Sequence, residues 1–238
     1  MWNRRRSGNT ISPPVQYAHM RSQGVGVFET MRVRRGAIPL LSRHLARLVR
    51  SLSALSLPTA DRDLDAFVVP FSEMDEAVLR LAVRDGRAVV TVGGVPGGGP
   101  PVVITAAARH VPYPHKTTDR DCFEEAAAEA DRAEADDALL LTAEGWVAEG
   151  TLWSLFWWEG ERLRTPGLEL GILPGVGRAR IGELVRFEEG RWRREALESR
   201  SLFLASAVRG VVPLARLDGA PVPLDPRTAE IARAFWPD

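Results

Sequence analysis

The chain contains 238 residues, of which 45% are hydrophobic, and its 31 basic and 31 acidic residues give a formal net charge of +0. This length allows one large or two small globular domains, the balanced charge argues against a nucleic-acid partner, and the lack of an 18-residue apolar run argues against a membrane span. The polar start predicts a cytoplasmic protein, and the single cysteine, Cys122, excludes an internal disulfide and a cysteine-based metal cluster.

Hydrophobic periodicity predicts the elements of the first half of the chain. In chain order they are a strand at 25–33, a returning strand at 37–40, an amphipathic helix from Leu41 to Leu55, a second helix at 73–83, and strands at 88–92 and 102–106. Ser42 is the predicted N-cap of the first helix. The segment 93–101, rich in glycine and proline, lacks the Lys-Ser/Thr of a phosphate-binding loop, and we expect an ordinary loop there.

The segment 109–115 is short, carries two prolines and has no periodicity, which predicts a link between two domains. We expect a smaller N-terminal α/β domain over 1–108 and a larger C-terminal domain over 109–238, and therefore a mixed α/β (α+β) fold. The predicted elements beyond the link are a helix at 121–135, strands at 137–142, 146–148, 155–158 and 162–165, a helix at 178–186, a strand within 202–212 and a closing helix at 227–236.

Lys116 is the one lysine among the 31 lysine and arginine residues, and it lies just beyond the predicted link. A surface charge can be supplied by either residue type. A Schiff-base nucleophile must be an amine, because a guanidinium stays protonated and does not condense with an aldehyde. Lys116 is therefore a candidate nucleophile. The alternative is that one lysine remained by chance in an arginine-rich sequence.

Three further features bear on the chemistry. Gly175 and Gly177 precede a predicted helix, whose first amides attract a phosphate. Glu149 ends a predicted strand, and Arg47 lies on the first helix. Taken singly, each has a simpler explanation, which is a glycine-rich turn for the first and a solvated charge for the other two.

Together these residues resemble one set, the fold-type-IV pyridoxal-phosphate enzymes, also called class IV aminotransferases. The resemblance extends from about Gly24 to Gly219. It includes a His-Leu-Ala-Arg-Leu motif at 44–48, whose arginine holds the cofactor phosphate in that family. The other matching segments are 26–32, 115–120, 136–141 with 147–151, 165–166 and 171–178.

The resemblance implies a two-domain protein with a β-barrel-like core in the C-terminal domain, a homodimer, and pyridoxal 5′-phosphate as cofactor. We expect no metal site. Lys116 would form the Schiff base and then move protons, and Glu149 would pair with the pyridine nitrogen, which stabilises negative charge at the substrate Cα. The residues that the resemblance places at the cofactor are Lys116, Arg47, Glu149, Val176, Gly177 and Ala207.

Three activities within the family are open: 4-amino-4-deoxychorismate lyase, branched-chain aminotransferase and D-amino-acid aminotransferase. The segments 28–32, 115–118 and 206–210 are most similar to the lyases, and we favour a lyase acting on a small amino substrate. Thr30 is the candidate proton donor, although a structural strand threonine is an equal alternative. Arg32 and Arg209 are candidate ligands for substrate carboxylates, because guanidinium groups bind carboxylates in pairs of hydrogen bonds.

Several positions depart from the family pattern. Ser154 replaces the usual asparagine, Gly177 the usual threonine of the phosphate turn, and Ala207 a second phosphate-binding threonine, which predicts weaker cofactor binding. Residues 1–23 do not resemble the usual entry hairpin. A protein that keeps the fold as a non-catalytic binding module is therefore a further alternative, and the presence of Lys116, Arg47 and Glu149 argues against it.

Overall fold

The computed structural model of the protein describes residues 24–60, 63–71 and 73–237, so the prediction for residues 1–23 lies outside the described residues. The helices are α1 (Leu41–Ala54), α2 (Asp121–Arg132), α3 (Val176–Leu184) and α4 (Pro226–Ala234). The strands are β1 (Val27–Arg34), β2 (Glu76–Arg84), β3 (Arg87–Gly93), β4 (Val102–Arg109), β5 (Asp137–Leu141), β6 (Val147–Gly150), β7 (Ser154–Glu159), β8 (Arg162–Pro166), β9 (Glu188–Gly190), β10 (Ser201–Ser206), β11 (Gly210–Pro213), β12 (Arg216–Leu217) and β13 (Ala220–Pro221). This mixture of helices and sheets confirms the α+β class.

The N-terminal sheet is antiparallel and has the order β1-β2-β3. The predicted helix at 73–83 is wrong, because most of this segment forms the central strand β2. Alternate side chains of β2, including Leu79 and Leu81, are buried in one core cluster with Leu48 and Leu52 of α1. A period of two residues is that of a strand with one buried face.

The connection from β1 to α1 also differs from its prediction. The returning strand at 37–40 is wrong, since Ala37 forms only an isolated bridge with Arg34. Leu40 has a left-handed backbone with φ of 64° and supplies no side-chain cap to the helix that begins at Leu41. Ser42 is therefore not the N-cap. Packing of the buried face of α1 on the sheet, rather than capping, stabilises this helix.

The C-terminal strands form two five-stranded sheets with the orders β11-β10-β7-β8-β9 and β13-β12-β4-β5-β6. Helix α2 packs against β4 and β5, α3 against β10, and α4 against β11. The elements predicted beyond residue 120 are present with small shifts at their ends. No ladder among the described residues joins the two sheets into one barrel, so a barrel-like core is not confirmed.

The predicted link at 109–115 begins with Arg109, the last residue of β4, and residues 110–115 form no helix or strand. Strand β4 belongs to the same sheet as β5 and β12. The chain therefore passes from the N-terminal sheet to the C-terminal sheets before β4, in the loop at 94–101. The division into domains at residue 108 stays a prediction. Within the part of the chain that the structure describes, no helix is both long and apolar enough to cross a membrane.

Candidate active site

A cavity of about 420 Å³ lies where α1 and β1 meet the C-terminal sheets. This volume is within the range of about 300–1,000 Å³ that is typical of small-molecule sites. The cavity brings together most of the residues predicted from the sequence, while Arg32 is not among the residues that line it. The predicted residues at its surface are Thr30, Arg47, Lys116, Glu149, Val176, Gly177, Ala207 and Arg209.

Lys116 is attached to the N-terminal sheet through its backbone. Its carbonyl oxygen accepts a hydrogen bond from the amide of Phe28 at 2.9 Å, and the amide of Thr118 donates to the carbonyl of Gly26 at 2.8 Å. The Lys116 Nζ lies 4.6 Å from the centroid of the Phe28 ring. The chain beyond the predicted link therefore runs along β1 and directs the amine into the cavity.

The environment of Lys116 lowers its pKa from the ordinary 10.5 to about 7. Burial is the largest cause, and the neighbouring charges of Arg120 and Arg47 act in the same direction, against the opposing attraction of Glu29. Both burial and like charge disfavour the ammonium form. A substantial fraction of the amine is therefore neutral near pH 7, as a nucleophile or base requires.

Arg47 is buried and bound to Glu29. Its Nε and Nη2 atoms donate to the two carboxylate oxygens at 2.7 and 2.5 Å, and its Nη1 donates to the carbonyl of Pro174 at 3.2 Å. Nδ1 of His44 lies 2.7 Å from Glu29 Oε2. Because a carboxylate only accepts, the ring proton lies on Nδ1. Glu29 therefore fixes the orientation of the arginine beside the cavity.

Burial and pairing oppose each other at Glu29. Burial alone would raise its pKa, but the charge of Arg47 and the hydrogen bonds from His44 and Arg47 lower the pKa from 4.5 to about 2. The pKa of His44 is lowered, mainly because its ring is buried. Near neutral pH, the group therefore consists of an ionised carboxylate, a guanidinium and a neutral imidazole.

Glu149 is held at the cavity by two donors. Nε2 of His110 lies 3.1 Å from its Oε1, and the amide of Leu173 donates to both carboxylate oxygens at 3.1 and 3.2 Å. The carboxylate is buried at the end of β6. His110 lies in the predicted link, so the link and the segment before α3 together fix the direction in which Glu149 points.

The turn that follows Glu149 is anchored on the buried Asp137. Its carboxylate accepts hydrogen bonds from the hydroxyl and amide of Thr151 at 2.5 and 3.1 Å and from the amide of Leu152 at 3.3 Å. A Cβ at Gly150 would lie 2.6 Å from this carboxylate. Burial raises the pKa of Asp137 from 3.8 to about 6, although these hydrogen bonds oppose the rise.

The N-terminus of α3 forms the third side of the cavity. Gly175 precedes the helix with an extended backbone, and no side chain caps it. The first amides of a helix have no acceptor within that helix and attract anions. A Cβ at Gly177 would lie 2.9–3.1 Å from the backbone of Ser206, and one at Gly175 would lie 2.9 Å from the Ser154 hydroxyl. Glycine at 177 therefore allows the helix to approach β10 closely.

The two candidate carboxylate-binding arginines have different surroundings. Arg32 is paired with Glu76 at 2.5 Å and donates to the carbonyl of Val208 at 3.0 Å. Nη2 of Arg209 donates to the carbonyls of Gly98 and Gly99 at 2.8 and 3.0 Å, and its guanidinium lines the cavity. The structure therefore places Arg209 at the cavity and Arg32 in an ion pair outside it.

Sequence reasoning missed four residues at the site, which are Glu29, His110, Arg120 and Asp137. Glu29 could have been identified from the sequence. It lies on the otherwise apolar, buried side of β1, and a buried carboxylate requires a cationic partner. Arg120 lies in the matching segment 115–120 but was given no role, and His110 lies outside any periodic element, so no pattern distinguished it. Asp137 begins a predicted strand, where its role depends on a turn that follows 14 residues later.

Comparison with known proteins shows the family and the fold to which the chain is similar. The sequence model of the family described as amino-transferase class IV matches residues 26–217. The aminodeoxychorismate lyase of Bacillus subtilis is 26% identical over 82% of this chain and 78% of its own length. The solved structure of a putative branched-chain amino acid aminotransferase from Thermotoga maritima has a TM-score of 0.80 at 25% identity and covers 89% of this chain and 84% of that one. The PLP-bound form of a hypothetical aminotransferase from Mycobacterium tuberculosis, at 24% identity, shares the fold with a TM-score of 0.80 over 92% of this chain and 89% of that one.

Proposed function

Because the chain belongs to the class IV amino-transferase family of pyridoxal-phosphate-dependent enzymes, we propose that it is a 4-amino-4-deoxychorismate lyase, which forms 4-aminobenzoate and pyruvate. The observation that carries this proposal is that Lys116, Arg47, Glu149 and the N-terminus of α3 line the same cavity. An amine, an anion-binding helix terminus and a buried carboxylate are the three groups that this cofactor requires.

The residues present fit pyridoxal phosphate. The first amides of α3 would hold the phosphate, and Gly177, where a Cβ would meet the backbone of Ser206, lets the start of this helix lie close to β10. Arg47 would add a positive charge beside them. Glu149, fixed by His110 and the amide of Leu173, would face the ring nitrogen. When bound, the cofactor supplies an aldehyde and a ring that withdraws electrons from the substrate.

The protein itself would move the protons. Lys116, with its pKa near 7, would accept the proton from the Cα of the substrate. Thr30, which lines the same cavity, would deliver a proton to the departing three-carbon unit. The products are an aromatic ring and pyruvate, so the reaction needs no keto-acid acceptor. An aminotransferase does need one.

Two similarities support the lyase over an aminotransferase. The aminodeoxychorismate lyase from Bacillus subtilis is 26% identical over 82% of this chain, against 24% over the same share for a putative branched-chain-amino-acid aminotransferase from Methanocaldococcus jannaschii. The segments 28–32, 115–118 and 206–210 resemble those of lyases. A branched-chain aminotransferase is the second candidate, because the Thermotoga maritima structure with that title has a TM-score of 0.80. We further propose that the protein is a cytoplasmic homodimer. Light scattering would measure the mass of the assembly.

The test starts from the absorption spectrum of purified protein incubated with pyridoxal phosphate. We expect a visible band that Lys116→Ala lacks. Addition of 4-amino-4-deoxychorismate, without any keto acid, should release 4-aminobenzoate, which is followed by its fluorescence. A folded Lys116→Ala protein is the matched control, because it lacks the amine and keeps the other residues that line the cavity.

Other outcomes would overturn the proposal in distinguishable ways. A visible band without 4-aminobenzoate, together with transamination of an amino-acid and keto-acid pair, would show an aminotransferase. Absence of the band in folded wild-type protein at excess cofactor would show that Ser154, Gly177 and Ala207 no longer support binding. The chain would then be a non-catalytic relative.

A further inference from the structure

His44 is a buried titratable group to which the proposed reaction gives no part. It lies on the buried face of α1, one turn before Arg47, and lines the cavity. Its Nδ1 donates to Glu29, while its Nε2 is buried and has no hydrogen-bond partner among the described residues. Buried polar atoms in native proteins are nearly always hydrogen-bonded. We therefore expect Nε2 to have a partner that the protein itself does not supply.

The carboxylate of Glu29 prepares the His44 ring to hold a second proton. A carboxylate bound to one ring nitrogen orients an imidazole and stabilises the cation that forms when the other nitrogen is protonated. In the free protein, burial lowers the pKa of His44 from its ordinary 6.5, and the charges of Arg47 and Lys116 act in the same direction, against the attraction of Glu29. The free ring is therefore neutral at pH 7. A negative charge that arrives beside Nε2 would favour the protonated ring.

The proposed phosphate position lies in the same cavity and has few side-chain donors. Arg47 connects it to the ring, since its Nη1 donates to the carbonyl of Pro174, just before the start of α3. Three of the five N–H groups of this guanidinium are already used. Gly177 and Ala207 have no hydroxyl where the family pattern has threonine. A proton on Nε2 of His44 would add a charged donor at this position.

The other ionisable groups near the ring do not bond to it. Among the described residues, the one hydrogen-bond partner of the His44 side chain is Glu29. Outside the cluster described above, the charged residues that line the cavity are Arg120, Asp136, Glu149 and Arg209. Arg43, which precedes His44 in the chain, is paired with Glu183 of α3, and neither lines the cavity. A ligand anion therefore meets an Nε2 that none of these groups has occupied.

We propose that His44 takes up a proton at Nε2 when a phosphate group binds at the start of α3, and that the resulting imidazolium donates one hydrogen bond to this phosphate and one to Glu29. The proton comes from solvent, and no covalent bond to a heavy atom changes. The identification of this phosphate with that of pyridoxal phosphate rests on the proposed function. His44 compensates in part for the hydroxyl groups that Gly177 and Ala207 lack, and phosphate binding weakens as the pH rises.

The experiment counts the protons that accompany binding of phenyl phosphate to the cofactor-free protein. This probe has no aldehyde and no ring nitrogen, and at pH 7.5 it is mainly a dianion, because the second pKa of a phosphate monoester is about 6. Calorimetry in buffers of different ionisation enthalpy gives the proton number. The measurement uses Lys116→Ala, since the amine of Lys116, with its pKa of about 7, would also take up a proton. We expect uptake of about one proton per phosphate bound.

Two further variants assign this proton to a residue. In the Lys116→Ala background, His44→Gln should bind phenyl phosphate about tenfold more weakly, because a charged hydrogen bond is lost, and should take up almost no proton. His115→Gln is the matched control. The His115 ring lies 3.2 Å from the hydroxyl of Ser51 and does not line the cavity, so this variant should keep the parent affinity and proton number.

Nitrogen-15 NMR of the histidine rings provides a measurement that does not require His44→Gln to fold. His44 carries its proton on Nδ1 and His110 on Nε2, because each of these nitrogens donates to a carboxylate. The two rings are therefore different tautomers with different spectra. On addition of phenyl phosphate to the Lys116→Ala protein, the His44 signals should change from one protonated nitrogen to two, while those of His110 should not.

Failure of phenyl phosphate to bind, binding without proton uptake, or His44 signals that remain those of a neutral ring would overturn the inference. A folded His44→Gln variant with an unchanged proton number would do the same. Proton uptake by His44 in a protein whose wild type forms no 4-aminobenzoate would overturn the lyase proposal and support the role of His44. An active lyase without proton uptake would overturn the inference alone.

Discussion

Arg47 of α1 and Glu29 of β1 form a bidentate ion pair between these two elements. Nε and Nη2 of the guanidinium lie 2.7 and 2.5 Å from the two carboxylate oxygens. Both side chains are buried. The arginine that the family resemblance places at the cofactor phosphate is therefore oriented by a carboxylate from the neighbouring strand. Its orientation does not depend on a ligand.

Replacement of Glu29 should destabilise the protein strongly. Glu29→Gln leaves the buried charge of Arg47 without a counter-ion, a change that costs about 3–5 kcal/mol. Urea unfolding at pH 7 would measure the loss. Glu76→Gln is the matched control on the same sheet, because it removes a partly exposed ion pair with Arg32 and should cost no more than about 1 kcal/mol. Equal losses in the two variants would contradict this account.

The same carboxylate predicts a pH dependence of stability. The pKa of Glu29 is about 2 in the folded protein and 4.5 ordinarily, so the unfolded chain binds its proton first as the pH falls. The contribution of Glu29, about 3 kcal/mol, is complete above pH 4.5 and is lost as the pH falls from 4.5 through 2. Unfolding free energies between pH 6 and 2 should fall less steeply in Glu29→Gln than in the wild type.

The lowered pKa of Lys116 predicts how the cofactor-free protein captures pyridoxal phosphate. The neutral amine is the reactive form, so the rate at which the visible band appears should rise with pH around a midpoint near 7. Arg120→Gln removes a positive neighbour and should move this midpoint upward, because the ammonium form is then less disfavoured. Stopped-flow absorbance measures the rate, and Arg162→Gln should retain the wild-type midpoint.

The close contact at Gly177 predicts that adding a methyl group there weakens cofactor binding. A Cβ would lie 2.9 Å from the carbonyl carbon of Ser206, so Gly177→Ala forces α3 away from β10 at a cost of about 1–3 kcal/mol. The dissociation constant for pyridoxal phosphate, measured by absorbance titration, should rise. Gly94→Ala is the control, since nothing lies within 4 Å of the added Cβ. Unchanged affinity in Gly177→Ala would show that the contact is not rigid.

Asp137 predicts a pH effect of the opposite sign. Its pKa is raised from 3.8 to about 6, so the folded protein keeps this proton longer than the unfolded chain does. Its contribution to stability therefore decreases as the pH rises from 3.8 to 6. Asp137→Asn should abolish that decrease in thermal unfolding. Asp137→Ala leaves the amides of Thr151 and Leu152 without their acceptor, and should cost at least about 1–3 kcal/mol and weaken cofactor binding through the turn after Glu149.

Local sequence patterns predicted the fold best where periodicity is strong. The leucine stripe of α1 and the apolar strands beyond residue 136 are present close to their predicted bounds. The prediction of a helix at 73–83 was wrong. Glu76, Ala77 and Leu79 are acceptable in a helix, but pairing with β1 and β3 makes this segment a strand. The preference of single residues for a helix contributes less free energy than the hydrogen bonds and side-chain contacts that a central strand makes with both of its neighbours.

The sequence by itself determined which chemical groups are available. The lone lysine was identifiable because a Schiff base requires an amine, and the family resemblance pointed to the arginine of the His-Leu-Ala-Arg-Leu motif and to Glu149 of β6. Only the tertiary structure decided how these groups are partnered. Arg32 is balanced by Glu76, Arg47 by Glu29, and Arg209 faces the cavity. Such pairings join residues 18 to 44 positions apart in the chain, and no local periodicity encodes contacts that form only when separate elements pack together.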